Sequence, residues 1–306
     1  MKQLTTRLFL LLVACFFTAQ AQIRVLHTET LPLARSGEWS DPRFSPNGKI
    51  IYFTKSDGDG IWEYTLATRT TRQLTSDPKS GFAYNISADG KSLMYRRTLR
   101  GRAPRARRQE VVLMNIARKS STVLAAGSDV SVPAFAENTP VFSVQSKTSG
   151  LRKTTGASDV LVLGIENTKI ALSINGTKTL LDPLKNGSYI WPMLSPDKTR
   201  LVAYEMDRGA FVCDLRGNVQ ARLGRRDAPS WTRSGKWIVF MDDKDDGHRL
   251  LSSDIAAVSA DGAVLIPLTA TSDIFELNPD CSPTENKIVC NTLDGSIIVL
   301  EYEEGQ

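Results

Sequence analysis

The chain has 306 residues, 38 Lys and Arg against 33 Asp and Glu, 4 Cys and 2 His. A formal charge of +5 is mildly basic, and much of it comes from one arginine-rich segment. Two histidines, and no Cys-x-x-Cys or zinc-ligand spacing, speak against the commonest metal and acid–base chemistry.

Residues 1–21 read as an export signal. Lys2 and Arg7 give a positive n-region, Leu8 to Phe17 form a short apolar core, and Ala19-Gln20-Ala21 supplies the small-x-small cleavage pattern. The run is shorter than the roughly 20 residues that span a bilayer. Leu12-Val13-Ala14-Cys15 also reads as a bacterial lipobox, with Cys15 lipidated, but Phe16 and Phe17 carry the apolar run past it. The expectation is a soluble periplasmic or secreted product of residues 22–306, with a lipoprotein anchored through Cys15 as the alternative.

Six segments downstream share one pattern: a Pro, one residue, an apolar residue, then a small hydroxyl or Ala before a turn. They are Pro42-Arg43-Phe44-Ser45, Tyr84-Asn85-Ile86-Ser87, Pro133-Ala134-Phe135-Ala136, Pro192-Met193-Leu194-Ser195, Pro229-Ser230-Trp231-Thr232 and Pro279-Asp280-Cys281-Ser282. Turn residues such as Asn47-Gly48 and Asp89-Gly90 follow, then apolar strands such as Ile50–Phe53 and Leu201–Tyr204. A third strand and, in most units, a more polar fourth complete each repeat. Four strands recurring about every 40 to 50 residues signal propeller blades. The expected fold is all-β: a six-bladed β-propeller of four-stranded antiparallel blades, near 36–77, 82–126, 130–183, 187–225, 227–270 and 273–303.

The sixth unit lacks a fourth strand, and Ile23-Arg24-Val25-Leu26-His27 is a β-former with no unit of its own. Segment 23–30 is therefore expected to close the ring and remove a free edge. The third unit is irregular. After a polar stretch at 145–158, two candidate strands follow, Val160–Ile165 and Lys169–Ile174, where a standard blade needs one.

Repeats Pro42–Phe53 and Pro192–Tyr204, and the run from Trp237-Ile238-Val239-Phe240 to Asp261-Gly262, resemble those of TolB-type, WD-like propellers of bacterial envelopes. The resemblance covers nearly all of 22–306. It implies a periplasmic scaffold that docks an envelope protein or peptide at the mouth of its central channel. TolB itself carries an α/β domain before its propeller, and about 20 residues precede the first repeat here, so TolB's partner is not carried over.

No Gly-x-Ser-x-Gly elbow occurs, so no enzyme activity and no cofactor are expected. Asp57-Gly58-Asp59-Gly60 and Asp242 to Gly247 alternate oxygen ligands as calcium loops do, but neither has the closing Glu, and Asp-Gly is ordinary turn chemistry. The tract Arg96, Arg97, Arg100, Arg102, Arg105, Arg107 and Arg108 falls where blade two turns between its second and third strands. It reads as a dock for an acidic protein, anionic lipid or lipopolysaccharide, or as a solvated hairpin tip. Lacking interleaved aromatics, it does not read as a nucleic-acid site. Cys281 and Cys290 flank a turn and could face each other as a disulfide, or pack as two small apolar residues.

The candidate partner surface is the channel rim, formed by residues at the start of the first strands: Trp39, Asp41, Phe82, Tyr189, Trp191, Asp227, Phe275 and Glu276. Some of these aromatics have the alternative of packing between blades. The chain is expected to be a monomer. A carbohydrate or small-ligand binder, or a carboxylate-based hydrolase or lyase at the channel, is the runner-up.

Overall fold

A computed structural model describes residues 22–34, 38–100, 107–128, 130–144, 147–150 and 160–305. The expected leader, with Cys15, lies outside the described residues. What is described is an antiparallel β-propeller, as the repeats require. Unit one shows the logic: Trp39–Phe44, Ile50–Lys55, Ile61–Thr65 and Thr70–Thr75 pair in chain order from the channel outward. Its second strand is buried on both faces because sheets flank it on either side, so Ile51, Tyr52 and Phe53 run on without polar alternation. The outer strand packs with one face only, and of its six residues just Leu74 is buried.

In units one, two and four the hydroxyl of the repeat has a local task. Ser45 Oγ donates to Asn47 and accepts from Ile50 N, at 2.8 and 3.0 Å. Ser87 does the same with Asp89 and Ser92, and Ser195 with Asp197 and Arg200. Each hydroxyl thus fixes the turn between the first and second strands.

The ring closes as expected. Ile23–Thr30 pairs antiparallel with Ile297–Glu304, from Ile23 opposite Glu304 to Thr30 opposite Ile298. Ile23 is buried in the cluster that holds Trp237, Ile288 and Tyr302.

The third repeat departs from the four-stranded plan. Ala134–Ala136, Thr139–Val144 and Lys147–Ser149 form one three-stranded sheet; Val160–Glu166, Lys169–Ile174 and Thr177–Leu181 form a second. Neither candidate strand is surplus, because the two pair with each other across Asn167-Thr168, both in left-handed conformation. Val160–Glu166 packs beside both Ala134–Ala136 and the inner strand Tyr189–Leu194 of unit four. The third repeat therefore fills two places in the ring, with three strands in each.

Of the two alternatives for Cys281 and Cys290, the structure has the unpaired one. Cys281 lies opposite Ile288 and Cys290 opposite Ile298. Both thiols are free and buried in one apolar cluster, and burial pushes both above their ordinary pKa. The hairpin register places them diagonally rather than face to face.

Candidate functional site: the channel wall

In units one, four, five and six the residue before the repeat proline adopts a left-handed backbone: Asp41 at φ 48°, Trp191 at 50°, Ala228 at 48° and Asn278 at 52°. Each lies within a β-bulge, where the ladder slips between Ser40 and Arg43, Ile190 and Met193, Asp227 and Ser230, and Leu277 and Asp280. The proline has no N–H to lose, which makes the bulge tolerable there. All four residues line one cavity of about 250 Å³, together with Arg43, Met193 and Asp280.

The inner strands are bonded to one another around this cavity. Trp231 Nε1 donates to Met193 O at 3.2 Å, and Cys281 N to Ser230 Oγ at 3.1 Å. Phe44 N donates to Asp280 Oδ2 at 2.7 Å, and Tyr84 Oη to Asp41 O at 3.4 Å. Burial raises the carboxyl of Asp280 to about 6, opposed by the Phe44 amide and by Arg43. Burial likewise raises Asp41, again against Arg43. The Arg43 guanidinium lies over the Tyr84 ring, 5.1 Å from its centroid.

Position relative to the proline sorts the expected rim residues. Those directly before it, Asp41 and Trp191, line the channel wall, and Trp191 is 45% exposed with its ring edge-on to Tyr204 at 5.6 Å. Those three before it are core. Trp39 is 8% exposed, packed on Phe53 and Trp62 and donating to Ala34 O. Tyr189 is 2% exposed and donates to Asp182 while accepting from Leu184 N. Glu276 is buried against Thr269. Placing Trp39, Tyr189 and Glu276 on an open rim is thereby corrected, since the strand buries this position against neighbouring strands.

Phe82 is exposed over the Gly58 turn, and Phe275 lines a separate surface groove of about 360 Å³ with Ile274 and Leu293. Asp227 flanks the channel residue Ala228 and is half-buried. Burial and the adjacent Asp243 raise its carboxyl, while Tyr204 and Arg225 oppose the rise. Arg225 holds Asp243 and Asp245 at 3.0 and 2.6 Å. Arg43, Asn278 and Asp280 were not anticipated; aligning the repeats on their prolines and reading the flanking positions would have found them.

The described arms of the basic tract are paired strands. Ser92–Arg100 and Arg107–Asn115 stay paired as far as Arg100 opposite Arg107. Arg97 donates to Glu110 and Asp77, Arg108 pairs with Glu110 at 3.2 Å, and Arg96 donates to Val130 O. Arg102 and Arg105 lie outside the described residues.

The acidic loops behave as turns. Asp57 accepts from Asp59 N, and Asp246 from His248 and Arg249 N. Among the described residues no group of three or more His, Cys, Asp or Glu is placed to hold a metal ion. Nor is any described helix long and apolar enough to cross a membrane.

No family model and no characterised protein matches the sequence. Solved structures do match in fold. TolB from Acinetobacter baumannii superposes with a TM-score of 0.52 at 17% identity over 79% of this chain. This chain spans 56% of that TolB. The β-propeller domain of Cps50 (Swd1) from Myceliophteria thermophila gives 0.58 at 13% identity, over 89% of this chain and 99% of the domain. An oligogalacturonate lyase from Vibrio parahaemolyticus gives 0.50 at 10% identity, over 85% and 76%. In fold, the chain is a β-propeller similar to those of TolB and of the Cps50 (Swd1) domain.

Proposed function

We propose that this is an exported, non-catalytic interaction module of the bacterial envelope, holding a protein or peptide at the bulged side of its channel. The observation that carries the reading is Trp191. A large aromatic left 45% exposed on a concave wall, at a left-handed bulge, is an anchor of the kind interfaces use. The TolB-like fold favours an interaction role without identifying the partner.

The test is Trp191→Ala, with capture of partners from an extract of the protein's own cells compared by quantitative mass spectrometry. Because Trp191 is only half-buried, the melting temperature should move by a few degrees at most while specific capture is lost. Unchanged capture would remove the reading.

The second reading, a sugar or small-ligand site or a carboxylate-based lyase, draws on Asp41 and Asp280 in the same cavity and on the lyase of similar fold. At about 250 Å³ the cavity is smaller than the roughly 300–1,000 Å³ of pockets that enclose whole ligands, which favours one inserted side chain. Unsaturated product released from oligogalacturonate would favour the lyase instead.

A further inference from the structure

The channel cavity has a definite chemistry. Going around the ring from unit four to unit one, the left-handed bulges present Trp191, Ala228, Asn278 and Asp41, an aromatic face followed by a small, an amide and an acidic residue. Asp280, one residue past the proline of unit six, adds a second carboxylate to the same wall. The Asp41 carboxylate takes no hydrogen bond and no ion pair from the described residues, while the Asp41 backbone accepts from Tyr84. Asp280 receives one amide hydrogen bond, from Phe44.

The one cation on this wall, Arg43, acts on both acids from a distance, lowering their carboxyls without pairing with either. It forms no ion pair within 4 Å among the described residues and lies instead over Tyr84. Counted by side chain, the cavity carries two carboxylates against one guanidinium. Trp191, exposed on the same wall, offers a ring surface beside these acids.

We infer that the channel receives a lysine or arginine side chain of the docked partner, its apolar stem against Trp191 and its charged end between Asp41 and Asp280. The inference rests on the interaction reading above and specifies what the channel recognises. Burial, which raises both carboxyls, supports it: charged acids held where solvation is poor gain most from an incoming cation. The single-side-chain volume fits one such insertion rather than a whole ligand.

The test uses capped pentapeptides of glycine with a central arginine, lysine, norleucine or glutamate, titrated into the protein at pH 7.5 by calorimetry. The arginine and lysine peptides should bind at least tenfold more tightly than the norleucine and glutamate ones. Asp280→Asn and Asp41→Asn should each weaken arginine-peptide binding at least fivefold, with melting temperatures equal to or above the parent's. Asn at 280 still accepts from Phe44 N, so a folding defect is not expected, and Asp280→Glu keeps the charge as a control.

Equal binding of norleucine would make the cavity merely apolar, and preference for glutamate would make Arg43 the reader; either result overturns the inference. No binding of any peptide at millimolar concentration overturns it too. Where Trp191→Ala abolishes partner capture but the peptides fail, only the cation assignment falls. Where capture survives Trp191→Ala, the interaction reading falls with it.

Discussion

The two sides of the channel are built differently. Units four, five, six and one each carry a proline in the inner strand and a left-handed bulge before it. In unit two the equivalent of the proline is Tyr84, and Tyr84–Ile86 pairs with Leu93–Tyr95 without a register slip. In unit three Pro133 precedes the strand and Ala134–Ala136 also pairs regularly, while the second inner strand, Val160–Glu166, slips between Val162 and Gly164 at a glycine and without a proline. A left-handed non-glycine costs on the order of 1–3 kcal/mol. Regular strands show that the propeller can be built without it, so four bulges in a contiguous arc point to a use for the side chains they aim inward. The regular side carries the long basic hairpin of unit two, whose strands run nine residues each against six for Ile50–Lys55, a length that Trp237–Asp245 and Leu250–Ser259 match or exceed on the bulged side. At about 3.3 Å per residue it reaches about 10 Å further from the ring.

The largest expected effect comes from removing the closing strand. Unit six belongs to the bulged arc, and its outer strand is Ile23–Thr30. Deleting residues 22–30 strips the cover from Ile298, Leu300 and Tyr302 and frees an edge. The ring should lose cooperative folding at 37 °C, read by calorimetry and near-ultraviolet circular dichroism. A deletion variant with the parent melting temperature would show that the arc stands without closure.

Next in size is the network under the basic hairpin. Arg97 meets Glu110 and Asp77, and Tyr95 also donates to Asp77 at 2.7 Å. Arg97→Ala leaves the nearly buried Glu110 with only the solvent-exposed Arg108, and should cost about 1–3 kcal/mol. Arg108→Ala should cost under about 1 kcal/mol. Equal losses in urea denaturation would mean that the hairpin has no anchored base. The arginines further along, if they dock anionic lipid, should make sedimentation with anionic vesicles fall steeply with salt.

How the sequence could and could not be read follows the same division. Repeat number, turn chemistry and the missing outer strand are local: Ser45-Pro46-Asn47-Gly48 and the orphan Ile23–His27 announce themselves over a few residues. The site does not, because a bulge is a property of two strands in register. Trp39 and Trp191 look alike on the page, both aromatics just ahead of a repeat strand. Trp39 stands three residues before its proline and is packed on Phe53; Trp191 stands one before and faces the cavity. The third repeat misled for a related reason. Val160–Glu166 and Lys169–Ile174 are each legible as strands, but only their mutual pairing makes a separate sheet.

Strain itself separates the two sides by the sign of a substitution. Ala228 has φ 48° and a side chain that only lines the cavity, so Ala228→Gly relieves a left-handed penalty partly offset by glycine's greater freedom when unfolded. It should stabilise by about 1 kcal/mol. Asn85→Gly, in the regular strand of unit two, should destabilise by about the same amount. Two losses of equal size, measured by urea denaturation, would remove the distinction between the arcs.

An effect no larger than this is also the most diagnostic. Asp280 titrates near 6 in the fold against an ordinary 3.8. A raised carboxyl favours the protonated form in the folded state. Its contribution is therefore intact below the unfolded value and is lost as pH rises through about 6. At pH 7.5 the charged Asp280 holds the ring back, and Asp280→Asn should stabilise it by about 1 kcal/mol after allowance for solvent screening. That gain should shrink as pH falls from 7.5 towards 4 and vanish there, while the Asp280→Asn ring keeps the slope that Asp41 and Asp227 supply, since burial raises both. A carboxylate that weakens the fold at neutral pH, and whose removal weakens binding of a cationic peptide, is retained for the ligand and not for the ring. If Asp280→Asn instead destabilises equally at pH 7.5 and pH 5, the carboxylate is a structural tie to Phe44 N, and the channel wall loses its functional assignment at that position.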